Sequence, residues 1–138
     1  MTGERIRYRR GYKYQLVNDY RVQTNILPGH DIECEFVQLD RAGVLTIRHG
    51  YAWDGPSGPT IDTPDFMRGS LVHDVLYQLI RDGYLGQHFR DDADSELKRI
   101  CLEDGMPEAR ANYVYWGVRI GGGSAVYGNG GKPLRDAP

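Results

Sequence analysis

A chain of 138 residues, 40% of them hydrophobic, is long enough for one domain with a buried core. Seventeen Lys and Arg against nineteen Asp and Glu leave a formal charge of -2, so no global field draws the protein onto nucleic acid and no specific nucleic-acid binding is expected. Two cysteines, Cys34 and Cys101, exclude a disulfide framework and show no metal-ligand spacing, leaving at most a single bridge open; the polar N-terminus and the lack of a long apolar run predict no signal peptide and no transmembrane segment.

Residues 1–50 read as a strand-rich part. Near the N-terminus Arg5, Arg7, Arg9, Arg10 and Lys13 alternate with Tyr8, Tyr12 and Tyr14. That pattern fits a solvated strand face or a subunit contact better than a phosphate site. Tyr12 to Val17, Tyr20 to Thr24, Ile32 to Leu39 and Val44 to Ile47 mix β-branched and aromatic residues with polar ones, which predicts antiparallel strands. Asp40-Arg41-Ala42-Gly43 reads as a hairpin connection with glycine at positive φ. A loop follows from Tyr51 through Trp53-Asp54-Gly55-Pro56-Ser57-Gly58 to Pro59.

After Pro59 the period becomes helical. Thr63-Pro64-Asp65 supplies an N-cap, a proline at the first helical position and an early carboxylate, and the helix runs to about Arg81 before Asp82-Gly83. A second helix is predicted from Asp91 to Asp104 with Gly105 at C′, and a third from near Pro107 to Ile120, ended by Gly121 to Gly123. Tyr113, Tyr115 and Trp116 on the third are expected in the core. Residues 122–138 read as an irregular, Gly-rich tail. The fold class is therefore α+β: N-terminal antiparallel strands and hairpins, then three helices, in a single domain spanning 1–138.

The chemistry concentrates in His73-Asp74-Val75-Leu76-Tyr77 and in Asp94. His73 and Tyr77, four apart, share one helical face, while Asp74 is turned away by about 100°. Asp94 stands with Leu97 and Cys101 at i, i+3 and i+7, on the buried side of the second helix, where a carboxylate needs a partner. If the two helices pack antiparallel, Asp94 comes level with His73 or Tyr77 and can orient the imidazole. His30, His49 and His88 lack ligand spacing and are expected at the surface.

His73-Asp74-x-x-Tyr77 followed by Asp94 resembles the His-Asp-x-x-Tyr signature and downstream aspartate of phospholipases A2, particularly the disulfide-free domain of parvovirus minor capsid proteins. The resemblance implies a phospholipase A2-like helical half with catalytic His73, Asp94 and Tyr77. His73 would be the base, Asp94 its orienting carboxylate and Tyr77 a brace. It also implies calcium on Asp74 and on backbone carbonyls of the loop at Trp53, Gly55 and Gly58, although the family's Tyr-x-Gly-x-Gly pattern is here Trp53-Asp54-Gly55-Pro56-Ser57-Gly58. Phospholipid, or a membrane surface, would then be the partner.

Over most of its length the chain is also similar to a domain-of-unknown-function family, number 1353, common in tailed phages and prophages. The similarity lies in the Trp-Asp-Gly-Pro-Ser-x-Pro loop, the His-Asp-x-x-Tyr helix, Arg90-x-x-Ala-Asp94 and Val118-Arg119-x-x-Gly. It implies a phage origin, with the virion or the host cytoplasm or envelope as location and other virion proteins as partners. The rival to a calcium-dependent lipid ester hydrolase is thus a non-enzymatic virion or tail protein in which His73 and Asp94 lock two helices. Asp74 is equally readable as a surface residue or an ion-pair partner of Arg68, Lys98 or Arg99, and the loop as a rigid connector. A cell-wall hydrolase with another metal is a third, weaker reading, because no second histidine stands at zinc-ligand spacing to His73.

Overall fold

In the first half, alternation of large apolar and polar residues produces short antiparallel strands with one face buried. The computed structural model describes residues 8–9 (backbone only), 14–53 and 63–121. The loop glycines Gly55 and Gly58, residues 122–138, and Arg5, Arg7, Arg10, Tyr12 and Lys13 of the basic cluster lie outside them. Strands β1 (Tyr8–Arg9), β2 (Tyr14–Leu16) and β7 (Ala52–Trp53) form one sheet in the order β1-β2-β7. Strands β3 (Tyr20–Gln23), β4 (Ile32–Glu33), β5 (Val37–Leu39) and β6 (Val44–Ile47) form a second, β3-β6-β5-β4. Tyr20 pairs with Ile47 and Leu39 with Leu45, so the inward residues of both sheets meet in one core.

Two expectations are corrected in this half. The segment Ile32 to Leu39 is two strands: the Cys34 N–H donates to the Val37 carbonyl at 2.9 Å and the Val37 N–H donates back at 3.4 Å, folding the chain between β4 and β5. The loop expected from Tyr51 opens instead as strand β7, since Trp53 pairs with Tyr14 and its ring is buried against that tyrosine. The hairpin glycine is as expected, with Gly43 at φ 90°.

Helix α1 (Pro64–Arg81) has the predicted limits, because proline opens it and Asp82-Gly83 closes it, Gly83 taking φ 88°. Thr63 occupies the N-cap position, but its hydroxyl donates to Asp65 and accepts from Arg110 rather than capping a backbone N–H. All of α1 except Pro64, Asp65, Asp74, Gln78 and Arg81 is buried, so the helix is the centre of the molecule with one open stripe. A 3-10 turn (Gln87–Phe89) leads into α2 (Arg90–Glu103), and α3 (Glu108–Gly121) follows Gly105, at φ 98°. Arg68 at the start of α1 meets Glu103 and Asp104 at the end of α2, while Tyr77 reaches Asp94, so α1 and α2 are antiparallel. Gly69 lets them close: an added Cβ would stand 2.9 Å from the Cys101 Sγ.

Helix α3 packs on α2 through Ala111 and Val114. The expectation that its aromatics are core fails for two of the three: Tyr113 is 61% exposed and Trp116 57%, while Tyr115 is half-buried. Cys34 and Cys101 are both free. No helix among the described residues is long and apolar enough to cross a membrane.

Candidate functional site

Antiparallel packing brings the predicted residues together at the α1–α2 contact. His73 Nε2 lies 2.7 Å from Asp94 Oδ1, and the Tyr77 hydroxyl donates to the same oxygen at 2.5 Å. The two rings are in contact, tilted by 41° with centroids 4.1 Å apart. Asp94 is 0% exposed and His73 7%. Asp94, Leu97 and Cys101 share the buried face of α2, as the spacing predicts.

A buried carboxylate must be fully hydrogen-bonded to remain ionised. Burial pushes the Asp94 carboxyl up, but the hydrogen bonds from His73 and Tyr77, the charge of His73 and the hydrogen bond from Arg119 outweigh it and hold the group below its usual range. Burial and its bond to Asp94 push the Tyr77 hydroxyl well above its usual value, so it remains a donor. With Nε2 on a carboxylate, the imidazole carries its proton there. Nδ1 is left as the acceptor, and it has no hydrogen-bond partner among the described residues.

Two arginines complete the site, and sequence reasoning gave them no role. Arg119 Nη1, from the last turn of α3, donates to Asp94 Oδ2 at 2.7 Å and lies 2.6 Å from Asp91 Oδ1. Arg90, in the first turn of α2, donates from Nε to the Tyr77 hydroxyl at 3.3 Å and from Nη2 to the carbonyls of Val118 and Arg119, at 3.1 and 2.7 Å. Arg90 was legible as the residue one turn before Asp94 on the same helix; Arg119 depends on where α3 crosses α2.

Asp74 is half-buried on the open stripe of α1, with Gln78, which accepts from the Tyr51 hydroxyl at 2.8 Å. It thus points away from the His73–Asp94 contact. Arg68 pairs with Glu103 and Asp104, Arg99 with Glu96 and Glu103, and Lys98 lies over the Tyr115 ring, so their main partners are not Asp74. Trp53 Nε1 donates to Ser70 Oγ at 3.2 Å, pinning the start of the loop one helical turn before His73. Calcium takes six to eight oxygens. Among the described residues no three His, Cys, Asp or Glu side chains converge on a metal position, and of the expected calcium set Gly55 and Gly58 lie outside those residues. His30, His49 and His88 are exposed, and His49 lies 2.9 Å from Asp19.

Compared with protein-family models, curated proteins and solved structures, the chain matches none.

Proposed function

We propose that this chain is a hydrolase in which His73 acts as general base on water attacking a carboxylic ester. One observation carries the reading: a single buried carboxylate, Asp94, holds Nε2 of His73 and leaves Nδ1 without a protein partner among the described residues. Nδ1 takes a proton from water as the water oxygen attacks the acyl carbon. Asp94 stabilises the imidazolium, and the same proton passes to the departing alkoxide as the acyl C–O bond breaks. Tyr77 keeps Asp94 in place by sharing Oδ1.

Phospholipid acyl esters are the substrate class that the resemblance to phospholipases A2 supports, with a phage or prophage origin from the second resemblance. Calcium, held by Asp74 with the carbonyls of Trp53, Gly55 and Gly58, would supply positive charge to the oxyanion.

The test is fatty-acid release from phosphatidylglycerol vesicles with and without calcium. The wild-type chain is expected to be active with calcium, and His73→Gln to lose about 10²–10⁴-fold in rate with unchanged circular dichroism. An inactive wild type across glycerophospholipids, or a fully active His73→Gln, rejects the reading.

The burial of His73 and the open side of α3 favour a second reading, a non-enzymatic phage virion or tail protein. Tyr113, Trp116 and Ile120, the last 83% exposed, line one side of that helix, and an exposed apolar stripe of this kind marks an interaction surface. Mass spectrometry of purified virions from an induced lysogen is expected to detect the chain under this reading, with no fatty acid released by those virions; absence of the chain from virions rejects it.

A further inference from the structure

Asp94 offers two oxygens to three groups, and they are divided unequally. His73 Nε2 and the Tyr77 hydroxyl both use Oδ1, from α1. Oδ2 is taken from the opposite side by Arg119 Nη1, on α3. A buried carboxylate without a cationic partner tends to take up a proton, whereas one held by a charge-assisted bond stays ionised and can only accept. Arg119 is itself held at both ends. Its guanidinium also meets Asp91 at 2.6 Å, and its backbone carbonyl accepts from Arg90, whose Nε reaches the Tyr77 hydroxyl. The bonds therefore close a ring through three helices: Asp94 to Arg119, the Arg119 backbone to Arg90, Arg90 to Tyr77, and Tyr77 back to Asp94.

We infer that Arg119 is a positioning residue: as a cation bonded to Oδ2 it keeps buried Asp94 an ionised, acceptor-only partner, and so fixes the imidazole as the Nε2–H tautomer with Nδ1 bare, whereas a protonated Asp94 could donate to Nε2 and move the ring proton to Nδ1. Among the described residues, the charged and titratable groups around Asp94 are His73 and Tyr77 on α1, Arg90 and Asp91 on α2 and Arg119 on α3, and of these Arg119 alone reaches Oδ2. The consequence for catalysis rests on the hydrolase reading, whereas the tautomer does not.

The experiment is long-range ¹⁵N–¹H spectroscopy of the histidine rings in the full chain at about pH 8, above the ordinary imidazole range. His73 is assigned by loss of its signals in His73→Gln. In the wild type, Nε2 is expected to be protonated and Nδ1 to show the shift of a bare ring nitrogen. Arg119→Met should give a mixture of tautomers, and Arg119→Lys should restore the single form. A wild type protonated on Nδ1, or a folded Arg119→Met with the wild-type tautomer, overturns the inference.

Should Arg119→Met not fold, the wild-type guanidinium decides: resolved, slowly exchanging Arg119 Nη signals support a held side chain, and averaged ones refute it. In an active enzyme Arg119→Met should lower kcat by about 10–100-fold with KM little changed. An inactive wild type whose tautomer still depends on Arg119 rejects the hydrolase and keeps this inference.

Discussion

Asp94 is the residue whose loss would be felt most widely, because His73, Tyr77 and Arg119 all depend on its fully buried carboxylate. An asparagine of the same shape keeps one acceptor for His73 and Tyr77 but turns an amide N–H₂ toward the Arg119 guanidinium. Asp94→Asn should therefore destabilise the fold by about 3–5 kcal/mol at neutral pH. The folded carboxyl is held below its usual value, so as pH falls the unfolded chain takes up this proton first. Its stabilisation is complete above the ordinary carboxylate range and is lost as pH drops through that range and through the lower folded value. Urea midpoints over a pH series should accordingly show the gap between wild type and Asp94→Asn narrowing toward about pH 3. A gap constant with pH would mean that the Asp94 carboxyl titrates alike in the folded and unfolded chain, so that its donors do not hold it ionised.

At the scale of elements, the helices were legible and the strands only in part. Pro64, Asp82-Gly83 and Gly105 act through backbone geometry that any context enforces, and α1 and α2 stand within a residue or so of their predicted limits. The turn between β4 and β5 has no such signal, since Glu35 and Phe36 are neither glycine nor proline and it is made by backbone bonds alone. Asp94 was legible from the Leu97 and Cys101 spacing, while Arg119 and the exposed side of α3 depended on a crossing that periodicity does not encode. What sets the α1–α2 distance is Gly69, one helical turn before His73. Alanine there would gain about 1 kcal/mol in helix propensity. Its Cβ, however, would meet Cys101 Sγ at 2.9 Å, Leu97 Cδ1 at 3.1 Å and the Leu97 carbonyl at 3.3 Å, all in packed interior. Overpacking of this kind costs about 1–3 kcal/mol, so after the propensity gain Gly69→Ala should show a net loss of up to about 2 kcal/mol in denaturant unfolding. The loss should be smaller in a Cys101→Ala background, where the nearest atom is gone. A Gly69→Ala chain more stable than wild type would show that the helices separate without cost.

Over the whole molecule, the sheets and the helical hairpin are tied at the end of α1 remote from His73. Buried Arg68 donates from Nη1 to the Tyr20 hydroxyl of β3 at 2.7 Å, from Nη2 to Glu103 at 2.6 Å and from Nε to Asp104 at 3.1 Å. Burial pushes the Tyr20 hydroxyl up to about 12 against the opposing pull of Arg68, so it stays a neutral acceptor. Beside it Arg99 bridges Glu96 and Glu103 and reaches the Gln23 carbonyl, and Glu96 accepts from the Asn25 N–H. These bonds cross the same boundary as the main core, which runs from Leu16 and Leu45 to Leu76 and Ile100. Strands and helices are therefore expected to unfold in one transition, with far-ultraviolet and near-ultraviolet signals coincident. Arg68→Met should lower that transition by about 1–3 kcal/mol, because it takes the donor from Asp104 and from the buried Tyr20 hydroxyl, while Glu103 keeps Arg99. Arg68→Lys should recover less than half of the loss, since a single ammonium cannot reproduce a planar fork aimed at three acceptors on two elements. If Arg68→Met instead split the transition, with the helical signal persisting after the sheet signal is lost, the sheets and the hairpin would be separate folding units joined by this cluster.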